Sequence, residues 1–342
     1  MVGQVFTGGR PCGSLRHPGR TLGRVKGRFA AKLRNMANDW EPVNCLLCGQ
    51  DNAAPLVEGP DRLHNLPGTF RLVRCRHCGL IYQNPRPSPT VLAGYYPDDY
   101  PPHVVGKKPT LWGRLDIKLA YAKRIRALRR FSTGGRLLDI GCGTGGFLRA
   151  VSEGGWEVYG LEPSVRAAKV AAEVCGAPVI TARLEDADVP PEFFDVVTLW
   201  DVLEHLHDPR AGLAKASRTL KAGGLLVVST PDFDSPDRKL FGKYWFGYDL
   251  PRHLYIFDRR TLTALLDQVG FKVLEIAHFT GHYQVLAGSI RHLTTAIVGP
   301  ALGRLVYRVI YSPPARVITF PAVKLLAEFN VGPVMTVFAR KA

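Results

Sequence analysis

The chain has 342 residues, 46% of them hydrophobic and 22% charged, a composition of folded domains that excludes a low-complexity or wholly disordered protein. A formal net charge of +16 points to nucleic acid or an anionic surface, but half of that excess falls in residues 1–35. The seven cysteines, without an apolar run of signal-peptide length ahead of them, suit a reducing cytoplasm rather than a disulfide framework.

Residues 1–36 read as a disordered basic leader. Arg10, Arg16, Arg20, Arg24, Lys26, Arg28, Lys32 and Arg34 stand there without one acid, among glycines and little apolar periodicity. Three accounts fit: sequence upstream of a start at Met36, an organelle transit peptide poor in serine, and a basic arm. The first is favoured.

Residues 37–110 hold "CLLCG" (Cys45, Cys48) and "CRHCG" (Cys75, Cys78), the same knuckle written twice. Each turn points two thiolates at one centre, and two turns supply the four soft ligands of a structural Zn2+. A redox pair or four buried thiols are the alternatives. The glycine after each second cysteine allows the tight turn, and His77 is left outside the coordination. A strand, "GLIY", and a linker dense in Pro and Tyr follow. The next segment spaces Leu111, Leu115, Leu119, Ala122 and Ile125 helically, so the spacing predicts a helix with an apolar stripe and a basic opposite face that could grip phosphates, anionic lipid or, the favoured reading, water alone.

"LLDIGCGTGGFLRA", residues 137–150, sets a carboxylate between an apolar strand and four glycines that open a helix. Such a crossing lies at the carboxyl edge of a parallel sheet, where ligands bind. G-x-G-x-x-G alone is a weak dinucleotide signal, but Asp139 would repel a pyrophosphate and attract an ammonium group. S-adenosylmethionine has the ammonium, a sulfonium and no phosphate.

From Arg136 to Phe279 the chain resembles the class I S-adenosylmethionine-dependent methyltransferases, with a last strand near Met335–Lys341. The match rests on "DIGCGTG", "WEVYGLEPS", "ITARLEDADVP", "FFDVVTLWDVLEHLHDP" and "LKAGGLLVVSTP", in that order. The resemblance implies an α/β fold: a Rossmann-like, mostly parallel sheet with an antiparallel last strand. It places Asp139, Gly141, Gly143 and Gly145 in the cofactor turn and Glu162 on both ribose hydroxyls, with a helix N-terminal acid as the alternative for Glu162. It further implies a third strand and adenine-contacting turn in "ITARLEDADVP", with Leu184 and Glu185 at the adenine, Trp200 and Asp201 beside the cofactor, and a helix end, glycine turn and fifth strand in "LKAGGLLVVSTP".

Methyl transfer to a hydroxyl also needs a proton acceptor, and His205 and His253 are the candidate catalytic residues, with His207 ranked below them. Hydrogen-bonded structural roles are the alternative for each. "FGKYWFGYD" (241–249) reads as an aromatic lid or as core packing. The domain then continues through residue 282, 283–331 form an apolar, basic helical insertion, and 332–342 supply the last strand. The insertion has no uncharged run long enough for a membrane span. It suits peripheral membrane contact, a cap over the acceptor, or an oligomer contact.

Residues 45–100 more loosely resemble the zinc module of sugar and glycan methyltransferases. The favoured function is therefore methyl transfer to a saccharide, lipid-linked glycan or related small molecule, at the cytoplasmic membrane face. An RNA base methyltransferase is the alternative, disfavoured because no base-stacking pattern accompanies the charge. A zinc scaffold without turnover is a third class. The sequence leaves the acceptor atom and the oligomeric state open.

Overall fold

The computed structural model describes residues 39–96 and 110–342, so the basic leader and much of the Pro/Tyr linker lie outside the described residues. Five short strands come first: β1 (Trp40–Glu41), β2 (Ala53–Gly59), β3 (Phe70–Cys75), β4 (Ile81–Gln83) and β5 (Arg86–Pro87). Helices α1 (Pro89–Ala93) and α2 (Leu111–Leu128) precede an alternating run. That run is β6 (Arg136–Ile140), α3 (Gly146–Ser152), β7 (Glu157–Leu161), α4 (Val165–Cys175), β8 (Val179–Ile180), β9 (Phe194–Trp200), α5 (Pro209–Thr219) and β10 (Leu220–Pro231). Helix α6 (Pro236–Phe241), strand β11 (Tyr255–Ile256), α7 (Arg259–Gln268) and β12 (Phe271–Thr280) follow. Helices α8 (His282–Val298), α9 (Pro300–Ile310) and α10 (Pro313–Glu328) separate β12 from β13 (Val334–Lys341).

Seven strands form one sheet in the order β12-β13-β10-β9-β6-β7-β8. β13 runs antiparallel to both β10 and β12, while β10, β9, β6, β7 and β8 pair in parallel. Buried runs such as "LLDI" in β6 and "VVTLW" in β9 are what a parallel sheet covered on both faces requires. The chain leaves β6 for β7 and β8 on one side and returns to β9 on the other. That reversal opens a crevice at the carboxyl ends of β6 and β9.

The cysteine segment does not stand alone. Its four-stranded sheet, β11-β4-β3-β2, takes its edge strand β11 from beyond β10. Cys45, Cys75, Leu80 and Tyr82 share one apolar cluster with Leu138, Leu199 and Leu226 of the large sheet. Arg252, fully buried, ties the two parts by pairing with Asp61 and Asp249 at 2.7 Å each.

Four local readings are corrected or narrowed. Most of the stripe read on α2 is not buried: Leu111, Leu115, Leu119 and Ala122 are exposed, Ile125 is half-buried against the core, and Ala127 and Leu128 near the helix end are buried. The first turns of α2 have no sheet beneath them, and Asp116 instead pairs with Arg316 of α10. The third strand is just Val179–Ile180, with "TARLEDADVP" in turns after it. "LKAGG" belongs to β10 itself, as an irregular start whose register shifts between Leu220 and Leu225. The aromatic segment is mainly core: Trp245 and Tyr248 are buried edge to face at 5.1 Å.

Candidate active site

β6 ends at Ile140 and the chain turns through Gly141, Cys142 and Gly143 into α3, whose N-cap is Gly145. Gly145 has φ 76°, a left-handed conformation that costs a side chain. A Cβ there would also stand 2.8 Å from the Ala171 backbone of α4. The turn is therefore bare by construction. It is held from β7: Gly141 and Cys142 N–H donate to the Leu161 carbonyl at 2.7 and 3.2 Å.

Glu162, next along β7, is buried and its two oxygens have different partners. Oε2 accepts from Gly143 N–H and Oε1 from Ser164 N–H, both at 2.9 Å. Burial raises its pKa, and the two backbone bonds oppose that rise. A carboxylate oxygen has two lone pairs, so it can accept from a hydroxyl as well as from a backbone N–H. Asp139 sits on β6 just before the turn and is almost fully buried, accepting from the Thr198 hydroxyl at 2.6 Å. Burial pushes its carboxyl up to about 7, against the Thr198 bond. Asp139, Gly141, Gly143, Gly145 and Glu162 thus converge at one turn.

Trp200 and Asp201 end β9 at the other wall. Asp201 takes φ 57°, and its carboxylate accepts from Ser229 Oγ at 3.0 Å and meets Arg124 at 3.4 Å. The Arg124 guanidinium lies 4.4 Å from the Trp200 ring centre. Tyr121, one turn earlier on α2, approaches Gly146 so closely that a Cβ there would meet its hydroxyl at 2.6 Å. Sequence reading gave neither α2 residue a role, because the segment's charge looked like a solvated face. Leu184 is buried facing Gly212, whereas the Glu185 side chain is exposed and its carbonyl accepts from Lys215.

His205 and His253, read from separate segments, come together with ring centres 4.7 Å apart. His205 Nδ1 is 3.0 Å from the Arg252 carbonyl and from the Tyr96 hydroxyl, and His253 Nδ1 is 2.8 Å from the Gly247 carbonyl. A carbonyl only accepts, so both rings carry their proton on Nδ1 and leave Nε2 as a lone pair. Burial, and for His205 the neighbouring His253, lowers both pKa values, His205 to about 3. The lowered values favour the neutral ring in both, and the larger drop at His205 makes it the weaker proton acceptor. Glu204, which sequence reading passed over, is fully buried beside them, with Oε1 4.0 Å from His253 Nε2. Burial, then the charge of Asp201, raises its pKa well above the carboxylate range. His207 Nε2 is 3.1 Å from the Pro87 carbonyl, a bond of the kind a structural histidine makes.

Away from this crevice the four cysteine sulfurs gather, Cys45 to Cys78 at 3.3 Å and Cys48 to Cys75 at 3.6 Å. Gly49 and Gly79 both take positive φ after their knuckles. Burial raises the Cys45 and Cys78 thiols; Cys75 is also desolvated, but the backbone N–H groups of Cys78 and His77 bring it down to about 7. Four thiols at these separations fit a tetrahedral metal, and His77 is exposed.

Residues 113–276 match a family model described as a methyltransferase domain. An uncharacterized protein of Methanocaldococcus jannaschii is 30% identical over 155 residues, 45% of this chain and 73% of that one. Ubiquinone biosynthesis O-methyltransferases of Rhodopseudomonas palustris strain HaA2 and Bradyrhizobium sp. are 32% and 42% identical, over 40% and 29% of this chain. The matched regions span only 56% and 40% of those two enzymes. An S-adenosylmethionine-dependent methyltransferase of Thermotoga maritima aligns with TM-score 0.45 and 21% identity, covering 67% of this chain and 92% of that one. Another from Archaeoglobus fulgidus gives 0.45 and 22%, covering 66% and 94%. With the glycine turn, the two acids and the seven-stranded sheet already in place, residues 113–276 form a methyltransferase domain with the class I S-adenosylmethionine-dependent fold.

Proposed function

We propose that the chain transfers a methyl group from S-adenosylmethionine to a hydroxyl of a saccharide, lipid-linked glycan or related small molecule. The observation that carries the donor half is the convergence of Asp139 and Glu162 on a turn whose Gly141 and Gly145 have no room for a Cβ. Asp139 would face the α-ammonium, Glu162 the ribose, and Leu184 with Trp200 the flanks of the nucleoside. The donor supplies an activated methyl on a good leaving group, so the protein contributes mainly alignment and exclusion of water. A hydroxyl acceptor agrees with the O-methyl transfer named for the ubiquinone relatives.

Calorimetry tests the donor half. S-adenosylmethionine and its demethylated product should bind, and nicotinamide dinucleotides should not; the reverse result would end the reading. Asp139 adds a sign. A carboxyl raised by burial is mostly protonated below about 7, and it must ionise to meet an ammonium that stays charged to about pH 7.7. Affinity for S-adenosylmethionine should rise up to about tenfold between pH 6 and pH 7.5, and Asp139→Asn should flatten that slope. The same raised pKa costs folding stability: the contribution present below the ordinary carboxylate range is lost as pH rises through about 7.

We also propose Zn2+ at Cys45, Cys48, Cys75 and Cys78, and a membrane-facing role for the last helices. Helix α8 buries Val285, Ala287 and Ser289, and Phe246 N–H donates to Ser289 Oγ, so this helix closes the aromatic segment. Helices α9 and α10 instead expose Ile318, Val317, Val309 and Phe320, with Arg304 and Arg308 exposed among them. No described helix is long and apolar enough to cross a membrane. An apolar face rimmed by arginines suits an anionic lipid surface, where it would meet a lipid-linked acceptor. The full chain should float with phosphatidylglycerol vesicles, and Val317→Asp with Ile318→Asp should reduce flotation severalfold. Equal flotation of both proteins would remove the membrane from the proposal.

A further inference from the structure

The geometry points to a divalent-cation site built by Glu204, His205 and His253, distinct from the four-cysteine cluster. One donor atom from each residue lies within 4.8 Å of the other two. An ion between them needs only small side-chain adjustments to reach the roughly 2.0–2.2 Å of metal–nitrogen and metal–oxygen bonds.

Two independent features favour an ion over a hydrogen-bonded trio. The Glu204 carboxyl is fully buried and no well-formed hydrogen bond reaches either oxygen: the Thr230 hydroxyl and the residue's own backbone N–H act only from nearby, and His253 Nε2 stands 4.0 Å away. Each imidazole, meanwhile, spends its Nδ1 proton on a backbone carbonyl, Arg252 for His205 and Gly247 for His253. That is the outer bond typical of a metal-binding histidine, since it fixes the ring and turns the Nε2 lone pair to the ion. The surroundings hold both rings firmly, because Arg252 is itself locked by Asp61 and Asp249.

One carboxylate and two neutral imidazoles suit a borderline ion such as Mn2+, Fe2+, Co2+ or Zn2+. Three protein ligands leave coordination positions open, and His205 is only partly covered, so a solvent-borne oxygen has a way in. The ligand class is a hydroxyl-bearing acceptor. Its oxygen would give its proton to water, form the bond to the methyl carbon, and leave the electron pair of the broken C–S bond on sulfur. That role rests on the methyl-transfer reading; the ion site itself does not.

Manganese titration of the full chain, followed by the electron paramagnetic resonance of free Mn2+, tests the site, since thiolates compete poorly for this ion. One Mn2+ per chain is expected, with affinity at least tenfold weaker in Glu204→Gln and in His253→Ala, and unchanged in His77→Ala. Glu204→Gln keeps the side chain's shape and carries the test if His253→Ala does not fold, as read by circular dichroism. The site is overturned if the unaltered chain takes up neither Mn2+ nor a second equivalent of zinc, or if folded Glu204→Gln binds Mn2+ equally well. Calorimetry with S-adenosylmethionine on the same samples separates the two ideas: donor binding without Mn2+ binding removes the ion and leaves the methyltransferase standing.

Discussion

Cys75→Ser should lower the melting temperature of the whole chain in one transition, rather than free a small module from an intact catalytic sheet. The physical ground is continuity. Cys75 ends β3, whose neighbour β4 pairs with β11, and β11 lies in the segment that follows the catalytic sheet's β10. The knuckles are also gripped from the large domain: Arg210 donates to the Leu46 carbonyl, Gln268 to the Leu47 carbonyl at 3.1 Å, and Arg260 to the Cys78 carbonyl at 2.6 Å. Structural zinc supplies about 10–16 kcal/mol in small peptides, as much as the whole stability of an ordinary domain. Replacing one thiolate by a hydroxyl should therefore cost several kcal/mol, well over the roughly 1 kcal/mol of an average substitution. Scanning calorimetry reads the outcome, with Cys142→Ser as the control, since Cys142 lies outside the cluster. Two transitions, the upper one unchanged, would make the module autonomous and the continuity argument wrong. An unchanged single transition would mean that the cysteines hold no structural metal.

What could be read from sequence follows from how local each signal is. Four thiols in two knuckles, and an acid ahead of three spaced glycines, state their chemistry within a few residues. The large sheet was equally plain, because "RLLDI" and "FFDVVTLW" have nowhere to go except a doubly covered sheet. The α2 stripe misled because helical spacing reports a face without saying whether anything lies beneath it. The role of Glu204 was hidden for a related reason: an acid beside a histidine is ordinary, and only its complete burial beside two histidines makes it informative. His205 and His253 stand 48 positions apart, and their meeting depends on the 249–253 turn fixed by the buried Arg252 ion pairs. That turn also joins the cysteine side of the molecule to the crevice, so ion site and structural cluster share a support that no motif announces.

Glu162→Gln should weaken binding of S-adenosylmethionine and of its demethylated product by about a hundredfold, roughly 2.7 kcal/mol. As a carboxylate, Glu162 has two acceptor oxygens and both face backbone donors, Gly143 N–H and Ser164 N–H. The amide keeps one oxygen and replaces the other with an NH2 group. Either orientation sets a donor against a donor. The loss combines one charge-assisted hydrogen bond, worth about 1.5–3 kcal/mol, with a buried N–H left unpaired. If the broken partner is Gly143, the glycine turn itself is released. A helix-start role alone would act through Ser164, lowering the melting temperature while leaving affinity near its original value. A role at the ribose predicts more: the unaltered protein should prefer adenosine to 2′-deoxyadenosine as a competitor, and Glu162→Gln should erase that preference along with the affinity. Retained discrimination in the variant would return Glu162 to the cap and leave the ribose to be held by backbone alone.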